Sequence, residues 1–438
     1  MSQSDDILIY AELLSNVKRV SVACDGPLYG ANTASASVSP DSLSLTVRNH
    51  EIENTLKLPD RVVAAEDAAQ FLRVQNKSLR CHEWSLPLAS PSGHVTRDPP
   101  RRAVPEAQAA ATPWSARDLI PRSSIYCRGC QATLVPEGKV ETWKDLPSEN
   151  WAEMMEFWHC HKPHDHGHQD DQALASRGYG ANSRLSGQEG VGLVDLTSLL
   201  FSQSDCSNVT PSTIPTSSGS LELEKAESEP TNGSTRLANQ GTPLSCNNCH
   251  CEIGVSHQDQ TSVTLFKWTI SIRSPASSSN SPTTYPAPEP SLSQCVSAML
   301  MATLSRSACS KTIIIPTTTL GTPSQQTKAG EGQEQQQQQQ LLHIWLFNQD
   351  ITFTSTKQQP EQRPVSAIKV FYRFVNQAEA DKLVESMTSD VQDITLPTAA
   401  ATQLREELER SNGYLPKPVR NFGQWRIGLL EKWKGDQR

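Results

Sequence analysis

The chain has 438 residues, a formal net charge of −8 and a mean hydropathy of −0.49, and 36% of its residues are apolar. A chain of this length can bury one large core or two to three smaller ones, yet the low apolar fraction indicates that part of it does not fold. The acidic balance argues against a general binder of nucleic-acid phosphates and favours a protein partner.

Two features of the sequence bear on its location. The segment "MSQSDDILIYAELL" has no positive charge before its apolar run, and no apolar stretch approaches the roughly 20 residues that cross a bilayer. The eleven cysteines include two C-x-x-C spacings, which are typical of a metal site in a reducing compartment rather than of a secreted disulfide framework. We therefore expect a protein of the cytoplasm and nucleus without a membrane segment.

Residues 1–88 are predicted to form a strand-rich region. Apolar and polar residues alternate at Val20, Val22 and Cys24, and again in "SLSLTV", with the period of a half-buried sheet. A short stretch of helix formers, "VVAAEDAAQFLRV", interrupts that pattern. Residues 89–112 are rich in Pro, Ala and Arg and have no periodicity, so they are predicted to be a linker.

The next region, 113–273, contains a predicted helix in "LPSENWAEMMEFWHCHKP". Ser148 is a suitable N-cap and Pro163 ends the pattern. The apolar stripe from Trp151 to Trp158 has the spacing of a buried helix face, so core packing is the simplest account of both tryptophans.

Cys160 lies just past this stripe, between His159 and His161. Three roles are open for it: a small buried hydrophobe, a thiolate offered to a metal, or a transfer nucleophile. Since Pro163 turns the chain out of the helix and the following "HDHGHQDD" is too polar for a core, we expect the thiol to be displayed at the surface.

The same region is interrupted by residues 202–243, which are rich in Ser, Thr, Pro and Glu and are predicted to be disordered. Beyond them, apolar residues alternate from Phe266 to Ile272 in "LFKWTISI", which predicts one strand. Residues 274–290 are predicted to be a second disordered linker.

The C-terminal part, 291–438, is predicted to be an α+β lobe with a flexible Gln-rich loop at 321–340. "LLHIWLFNQDITFTS" predicts two strands about a turn at residues 348–350, and "AIKVFYRFV" is apolar enough on both faces for a central strand. A helix through Leu404 is predicted to end at Gly413.

Four cysteines stand in two C-x-x-C pairs, Cys127 and Cys130 in "CRGC" and Cys246 and Cys249 in "CNNCHC". Four thiolates are the number that a closed tetrahedral zinc site requires, so we predict a structural zinc that joins two sheet segments. Reduced cysteines without metal and a thioredoxin-like redox pair are the alternatives, and His250 and Cys251 leave open which four atoms bind. The predicted fold class is α+β: strand-rich, with two lobes around sheets, few helices, long disordered insertions and one structural zinc clip.

Several stretches together resemble one known family: "CRGC", "LPSENWAEMMEFWHCHKPH", "CNNCHCEIG" before "LFKWTISI", and "SNGYLPKPVRNFGQWRIGLLEKW". By these stretches the chain is identified as a member of the HECT-like family of ubiquitin-conjugating-enzyme-binding proteins. The run W-x-x-x-M-x-F-W-x-C-H-K is far more specific than either C-x-x-C pair. The resemblance extends from "ILIYAELLSNVKRVSVAC" to the last residues and skips the low-complexity insertions.

The first function that this resemblance implies is ubiquitin ligation by a ubiquitin-protein transferase. Such a protein binds a ubiquitin-conjugating enzyme and ubiquitin, and passes ubiquitin through a cysteine thioester to substrate lysines. Cys160 is the candidate nucleophile. The neighbouring residues expected to contact the partner are Trp158, His159, His161 and Lys162. HECT lobes carry their cysteine in a His-Thr-Cys context near the C-terminus, and neither Cys295 nor Cys309 has that context.

The second function that the resemblance implies needs no turnover. The family is also linked to the zinc-dependent endonuclease of messenger-RNA cleavage and polyadenylation, as a binding partner or inhibitor. In that case the "HCHK" segment enters the nuclease cleft and Cys160 offers its thiolate to the catalytic zinc ions, displacing the attacking water. Neither function requires direct contact with nucleic acid. An unrelated metal-binding scaffold is a third possibility.

Overall fold

The computed structural model describes residues 7–26, 34–49, 52–72, 81–89, 112–146, 186–211, 241–257, 261–275, 288–317, 340–358, 362–386 and 390–434. The chain divides into two compact units. Unit 1 comprises Met1–Ala111 and Leu292–Lys434, and unit 2 comprises Thr112–Ser291 with Gly435–Arg438.

β-Strands make up most of the regular structure. In chain order they are β1 Leu8–Leu14, β2 Arg19–Asp25, β3 Ala34–Val38, β4 Ser44–Asn49, β5 Ile52–Lys57, β6 Cys81–Pro87, β7 Ser124–Cys127, β8 Thr133–Val135, β9 Thr142–Asp145, β10 Val191–Val194, β11 Ser198–Ser202, β12 Val209–Pro211, β13 Thr242–Cys246, β14 Glu252–Ser256, β15 Ser262–Phe266, β16 Ile270–Arg273, β17 Lys311–Pro316, β18 Leu341–Ser355, β19 Val365–Val375, β20 Val391–Leu396, β21 Asn421–Phe422 and β22 Trp425–Glu431. The α-helices of the described residues are α1 Ala65–Ala68, α2 Leu292–Ser307, α3 Gln377–Glu385 and α4 Thr398–Asn412. This strand-rich architecture with few helices confirms that part of the predicted fold class. Within the described ranges, no helix has the length and apolar character needed to cross a membrane.

A nine-stranded sheet in unit 1 brings together the first and last parts of the chain. Its main path runs β21-β22-β19-β18-β1-β2-β6, and β17 pairs with both β18 and β20. The long strand β18 pairs with β17 through its first residues and with β1 through its last, where Ser355 lies opposite Tyr10. Regions 1–88 and 291–438 therefore share one sheet, although the sequence pattern separates them.

One core cluster of unit 1 contains residues of this sheet and of the three-stranded sheet β3-β4-β5. Val20, Val22 and Cys24 are fully buried, as their alternation predicts, and so is Leu45 in β4. Each fully buried apolar side chain of this size contributes about 2 kcal/mol. The period-2 pattern is therefore explained by the contact between these two sheets.

Helix α4 packs against β22 through Leu404 and Leu408, which lie one turn apart and are fully buried. Gly428 in β22 permits this approach, because a Cβ at that position would come within 2.5 Å of the Leu408 side chain. The helix ends where the sequence predicts: the Gly413 N–H donates to the carbonyl oxygens of Glu409 and Arg410.

Unit 2 contains a seven-stranded sheet and a separate three-stranded sheet. The larger sheet has the order β12-β13-β14-β15-β11-β10-β9, and the smaller has the order β16-β7-β8. The chain passes from the larger sheet to the smaller one between β15 and β16, through a 3-10 turn at Lys267–Thr269.

Two strand predictions differ from the structure in detail. The segment from Phe266 to Ile272 is not one strand, because the 3-10 turn divides it between two sheets. β18 is not two strands about a turn: it continues from Leu341 to Ser355, with register shifts on either side of Asn348 where it pairs with β19. β19 itself lies between β18 and β22, which confirms its predicted central position.

Two further differences concern the low-complexity segments. The interruption predicted at 202–243 begins later, because residues 203–205 form a 3-10 turn and β12 pairs with β13. Residues 212–240 lie outside the described residues, as do most of the segments 89–112, 274–290 and 321–340. Helix α2 has no counterpart among the predicted elements, because its Ser and Thr residues obscure its helical period.

Candidate metal centre

The four predicted metal-ligating cysteines lie at two β-turns of unit 2. Cys127 is the last residue of β7, and Cys130 follows in the turn toward β8. Cys246 is likewise the last residue of β13, and Cys249 follows in the turn toward β14. Each pair therefore stands at a strand end, one in the three-stranded sheet and the other in the seven-stranded sheet.

The backbone has the same hydrogen bonds at both turns. The N–H of Gln131 donates to the Cys127 carbonyl at 2.8 Å, and the N–H of His250 donates to the Cys246 carbonyl at 2.9 Å. Gln131 and His250 both have positive φ values, 62° and 58°. This left-handed residue turns the chain back at the same point in each pair, so both sulfurs of a pair can face one ion.

The four sulfur atoms converge. All lie within 4.8 Å of one another, and the distances between Cys127 Sγ and Cys249 Sγ and between Cys130 Sγ and Cys246 Sγ are both 3.6 Å. Four sulfurs bound to one tetrahedral zinc at about 2.3 Å would be about 3.8 Å apart. The cysteines predicted from the sequence thus form a cluster that can hold a metal ion.

Burial and hydrogen bonding shift the pKa values of the cysteine thiols in opposite directions. Burial raises the pKa of the Cys127 thiol to about 12 and also raises the pKa of the Cys246 thiol. A hydrogen bond with the Asn248 side chain is the main cause that lowers the pKa of Cys130 to about 6. A cation among these sulfurs would offset the cost of burying thiolates, because metal ligation requires the deprotonated form.

The structure describes Cys251 and His250, which the sequence leaves open as alternative metal ligands. Cys251 is exposed and its sulfur is not among the four that converge, although a Cβ on Gly129 would lie 3.8 Å from it. His250 contributes its N–H to the turn and has no place in the cluster. The described geometry therefore favours the two C-x-x-C pairs as the ligand set.

A buried lysine, which sequence reasoning missed, supports the elements around the cluster. Lys267 has no exposed surface, and its Nζ donates to the carbonyl oxygens of Pro113 at 2.5 Å, Trp114 at 3.1 Å, Asp195 at 2.5 Å and Leu196 at 3.3 Å. In "LFKWTISI" it occupies a polar position of an alternating pattern, which predicts exposure. No local signal could have revealed partners that lie up to 154 residues away.

Arg128 connects the first cysteine turn to this lysine turn. Its backbone N–H donates to the Thr269 carbonyl at 2.9 Å, and its guanidinium donates to the carbonyls of Ile270 at 2.9 Å and Lys267 at 3.3 Å. Glu289 forms an ion pair with the same guanidinium at 3.2 Å. Arg128 thus holds the turn of Cys127 and Cys130 against the chain segment that crosses between the two sheets.

The predicted binding and catalytic residues belong to the segment for which the sequence predicts a helix. Trp158, His159, Cys160, His161 and Lys162 lie outside the described residues, and so does Trp151.

A four-sulfur cluster with every tetrahedral position supplied by protein is the arrangement of a structural metal site, not of one that activates a substrate. The fold is strand-rich, and strand ends of two sheets of unit 2 meet at this cluster. The chain belongs to the HECT-like ubiquitin-conjugating enzyme (E2)-binding family, whose sequence model matches residues 12–427. Family membership supports a ubiquitin-conjugating enzyme as the partner.

Three relatives illustrate how distant the similarities are. An uncharacterized protein of Schizosaccharomyces pombe is 24% identical over 73% of this chain and 77% of its own length. A protein of Pongo abelii named as an E3 ubiquitin-protein ligase is 23% identical over 70% of this chain and 72% of its own length. The match to an uncharacterized protein of Saccharomyces cerevisiae, 27% identical, spans only 35% of this chain and 41% of that relative. No solved structure matches the chain.

Proposed function

We propose that this protein is a HECT-like ubiquitin-protein ligase that binds a ubiquitin-conjugating enzyme and passes ubiquitin to substrate proteins. The observation that carries the proposal is the match to the E2-binding family over residues 12–427. The ligase name of the Pongo abelii relative supports the same role. The comparisons give no support to an endonuclease partner.

The transfer takes two acyl exchanges. A cysteine thiolate of this protein attacks the carbonyl of the thioester that joins ubiquitin to the conjugating enzyme, and the enzyme's thiolate leaves. A substrate lysine amine then attacks the new thioester, forming an amide and releasing the cysteine. We assign the first nucleophile to Cys160, one of the roles that the sequence leaves open for it.

The described cysteines supply few competitors for that role. Four belong to the metal cluster, and Cys24 and Cys295 are buried. Burial raises the pKa of the Cys206 thiol to about 12, which makes it a poor nucleophile at neutral pH. Among the thiols whose exposure the structure describes, Cys251 and Cys309 are the others with exposed surface, so they are the matched variants for the test.

The test is to incubate the protein with activating enzyme, a panel of ubiquitin-conjugating enzymes and ubiquitin, and to look for an adduct that a reductant removes. The parent protein and the Cys251→Ser and Cys309→Ser variants should form the adduct, and Cys160→Ser should not. If only Cys309→Ser failed to form the adduct, Cys309 and not Cys160 would be the nucleophile. If even the parent protein forms no adduct, this protein does not transfer ubiquitin through a thioester.

We further propose that the ion in the four-cysteine cluster is zinc and that its role is structural. The sulfur distances fit four bonds of about 2.3 Å, and all-thiolate tetrahedral sites are typical of structural zinc. A reducing compartment, the cytoplasm or nucleus, would keep these thiols available for the metal.

A further inference from the structure

Five aromatic side chains of unit 1 form one connected cluster, which we call the aromatic face. They are Trp345 and Phe347 in β18, Phe371 in β19, Phe422 in β21 and Trp425 in β22. The Phe371 ring lies at the centre, with its centroid 4.5 Å from Phe347, 5.2 Å from Trp345 and 5.2 Å from Phe422. Trp425 joins the cluster through Trp345, at 5.9 Å.

The outer members of the aromatic face are open to solvent. Phe347 is 56% exposed and Phe422 is 58% exposed, whereas Phe371, whose ring stacks on both, is 4% exposed. Among the described residues, four large apolar side chains are exposed, and the other two, Val17 and Ile120, are not part of this cluster. A single exposed apolar residue needs no explanation, but a connected patch marks an interaction site.

The backbone beneath the aromatic face is ordered by sheet pairing. β18, β19 and β22 are neighbouring strands, with Trp345 directly opposite Phe371 and Phe371 opposite Ile427. Phe422 pairs with Trp425 across a tight hairpin in which Gly423 has a positive φ of 58°. Aromatic side chains held by such a framework lose little conformational entropy on binding, and aromatic residues are enriched at the centres of protein interfaces.

The charges around the aromatic face argue for a protein occupant. Lys311 lies over the Trp345 ring at 5.8 Å, and Arg373 lies over the Trp425 ring at 5.0 Å. Each cation is paired with a carboxylate, Lys311 with Asp390 at 2.7 Å and Arg373 with Glu379 at 2.8 Å. A surface that stacks single-stranded nucleic acid also needs cations for the phosphates, and here these two are already neutralised.

We propose that the aromatic face is the surface on which the ubiquitin-conjugating enzyme docks, with apolar side chains of the enzyme packed over Phe347 and Phe422. The inference rests on the proposed function for the identity of the partner. The family match, residues 12–427, includes all five aromatic residues. Phe422 and Trp425 also lie in "SNGYLPKPVRNFGQWRIGLLEKW", one of the stretches that carry the family resemblance.

The experiment measures the dissociation constants of the 438-residue chain for the conjugating enzymes that it binds. Phe347→Ser and Phe422→Ser should each weaken binding at least tenfold, since truncation of an aromatic residue that a partner covers commonly has an effect of that size or larger. Val17→Ser removes an apolar side chain of equal exposure from the turn between β1 and β2, and it should leave binding unchanged. Circular dichroism and the melting temperature verify that all three variants fold.

The outcomes separate this proposal from the function on which it rests. If the parent protein binds a conjugating enzyme and both phenylalanine variants bind it equally well, docking on the aromatic face is wrong and the function stands. If the parent protein binds none of the enzymes, both the proposed function and the docking of a conjugating enzyme on the aromatic face are rejected. Loss of self-association or of binding to a single-stranded RNA probe in the variants, with unchanged enzyme binding, would assign the face to another occupant and overturn the proposal.

Discussion

At the scale of single residues, His343 couples the stability of unit 1 to pH. It is 2% exposed, and its Nδ1 accepts a hydrogen bond from Arg373 Nε at 3.3 Å. Burial, followed by the charges of Arg373 and Lys311, lowers the pKa of His343 from 6.5 to about 4, and Asp390 opposes this shift. The unfolded chain therefore takes up a proton between pH 6.5 and 4 that the folded chain excludes.

The expected result is a loss of stability on acidification. Because the folded-state pKa is depressed, the contribution of His343 is fully present above about pH 6.5 and is lost as pH falls toward 4, by about 2 kcal/mol between pH 7 and 5. The free energy of unfolding of the His343→Gln variant should fall by correspondingly less over the same pH interval. Urea unfolding at both pH values measures the difference, and equal pH dependence in parent and variant would contradict it.

The buried ammonium of Lys267 allows a second prediction at this scale. Lys267→Met keeps most of the side-chain volume but leaves the surrounding carbonyl oxygens without their shared donor, so it should destabilise unit 2 by about 3 kcal/mol. Lys144→Met, at an exposed position of β9 in the same unit, should change stability by less than about 0.5 kcal/mol. Denaturant unfolding compares the two variants. Similar stability of both would show that the carbonyls find other partners.

At the scale of elements, the proposed zinc would make the two cysteine turns depend on each other. Cys127→Ser should remove the ion and lower the stability of unit 2 by about 3 kcal/mol or more, since ion binding contributes directly to folding. Cys251→Ser should retain about one zinc per chain, because its sulfur lies outside the cluster. Elemental analysis and thermal unfolding, with and without a chelator, test both variants. Metal-free parent protein, or equal metal loss in both variants, would reject the predicted ligand set.

Local sequence patterns predict some of these elements correctly and others wrongly. Local patterns suffice for β2, β19 and α4 and for the spacing of each cysteine pair, because the signal lies within a few residues. They fail at Asn348, which reads as a turn but lies within a continuous strand, where its side chain accepts a hydrogen bond from the Asp350 N–H. They also fail at Lys267, whose burial is set by carbonyls distant in sequence. Convergence of the two cysteine turns depends on pairing across 116 residues, which spacing alone suggests but does not determine.

At the scale of the whole molecule, the two compact units should respond to different perturbations. Calorimetry at pH 7 should resolve two unfolding transitions, since chains with more than one unit commonly depart from two-state behaviour. A chelator should lower the transition of unit 2, where the cysteine cluster lies, and mild acid should lower the transition of unit 1 through His343. One transition that both treatments shift equally would mean that the units unfold as one.

The pairing of β1 with β18 has a consequence for the order of events at the ribosome. Tyr10 cannot pair with Ser355 until Ser355 has been synthesised. The uninterrupted segment Thr112–Ser291 is synthesised before that point. During that interval one edge of β1 has no strand to pair with, and such an edge is a template for wrong association. Unit 2 is therefore expected to mature on the nascent chain before unit 1, which needs β18 and β22, so that chaperone binding during translation should be concentrated on the N-terminal strands.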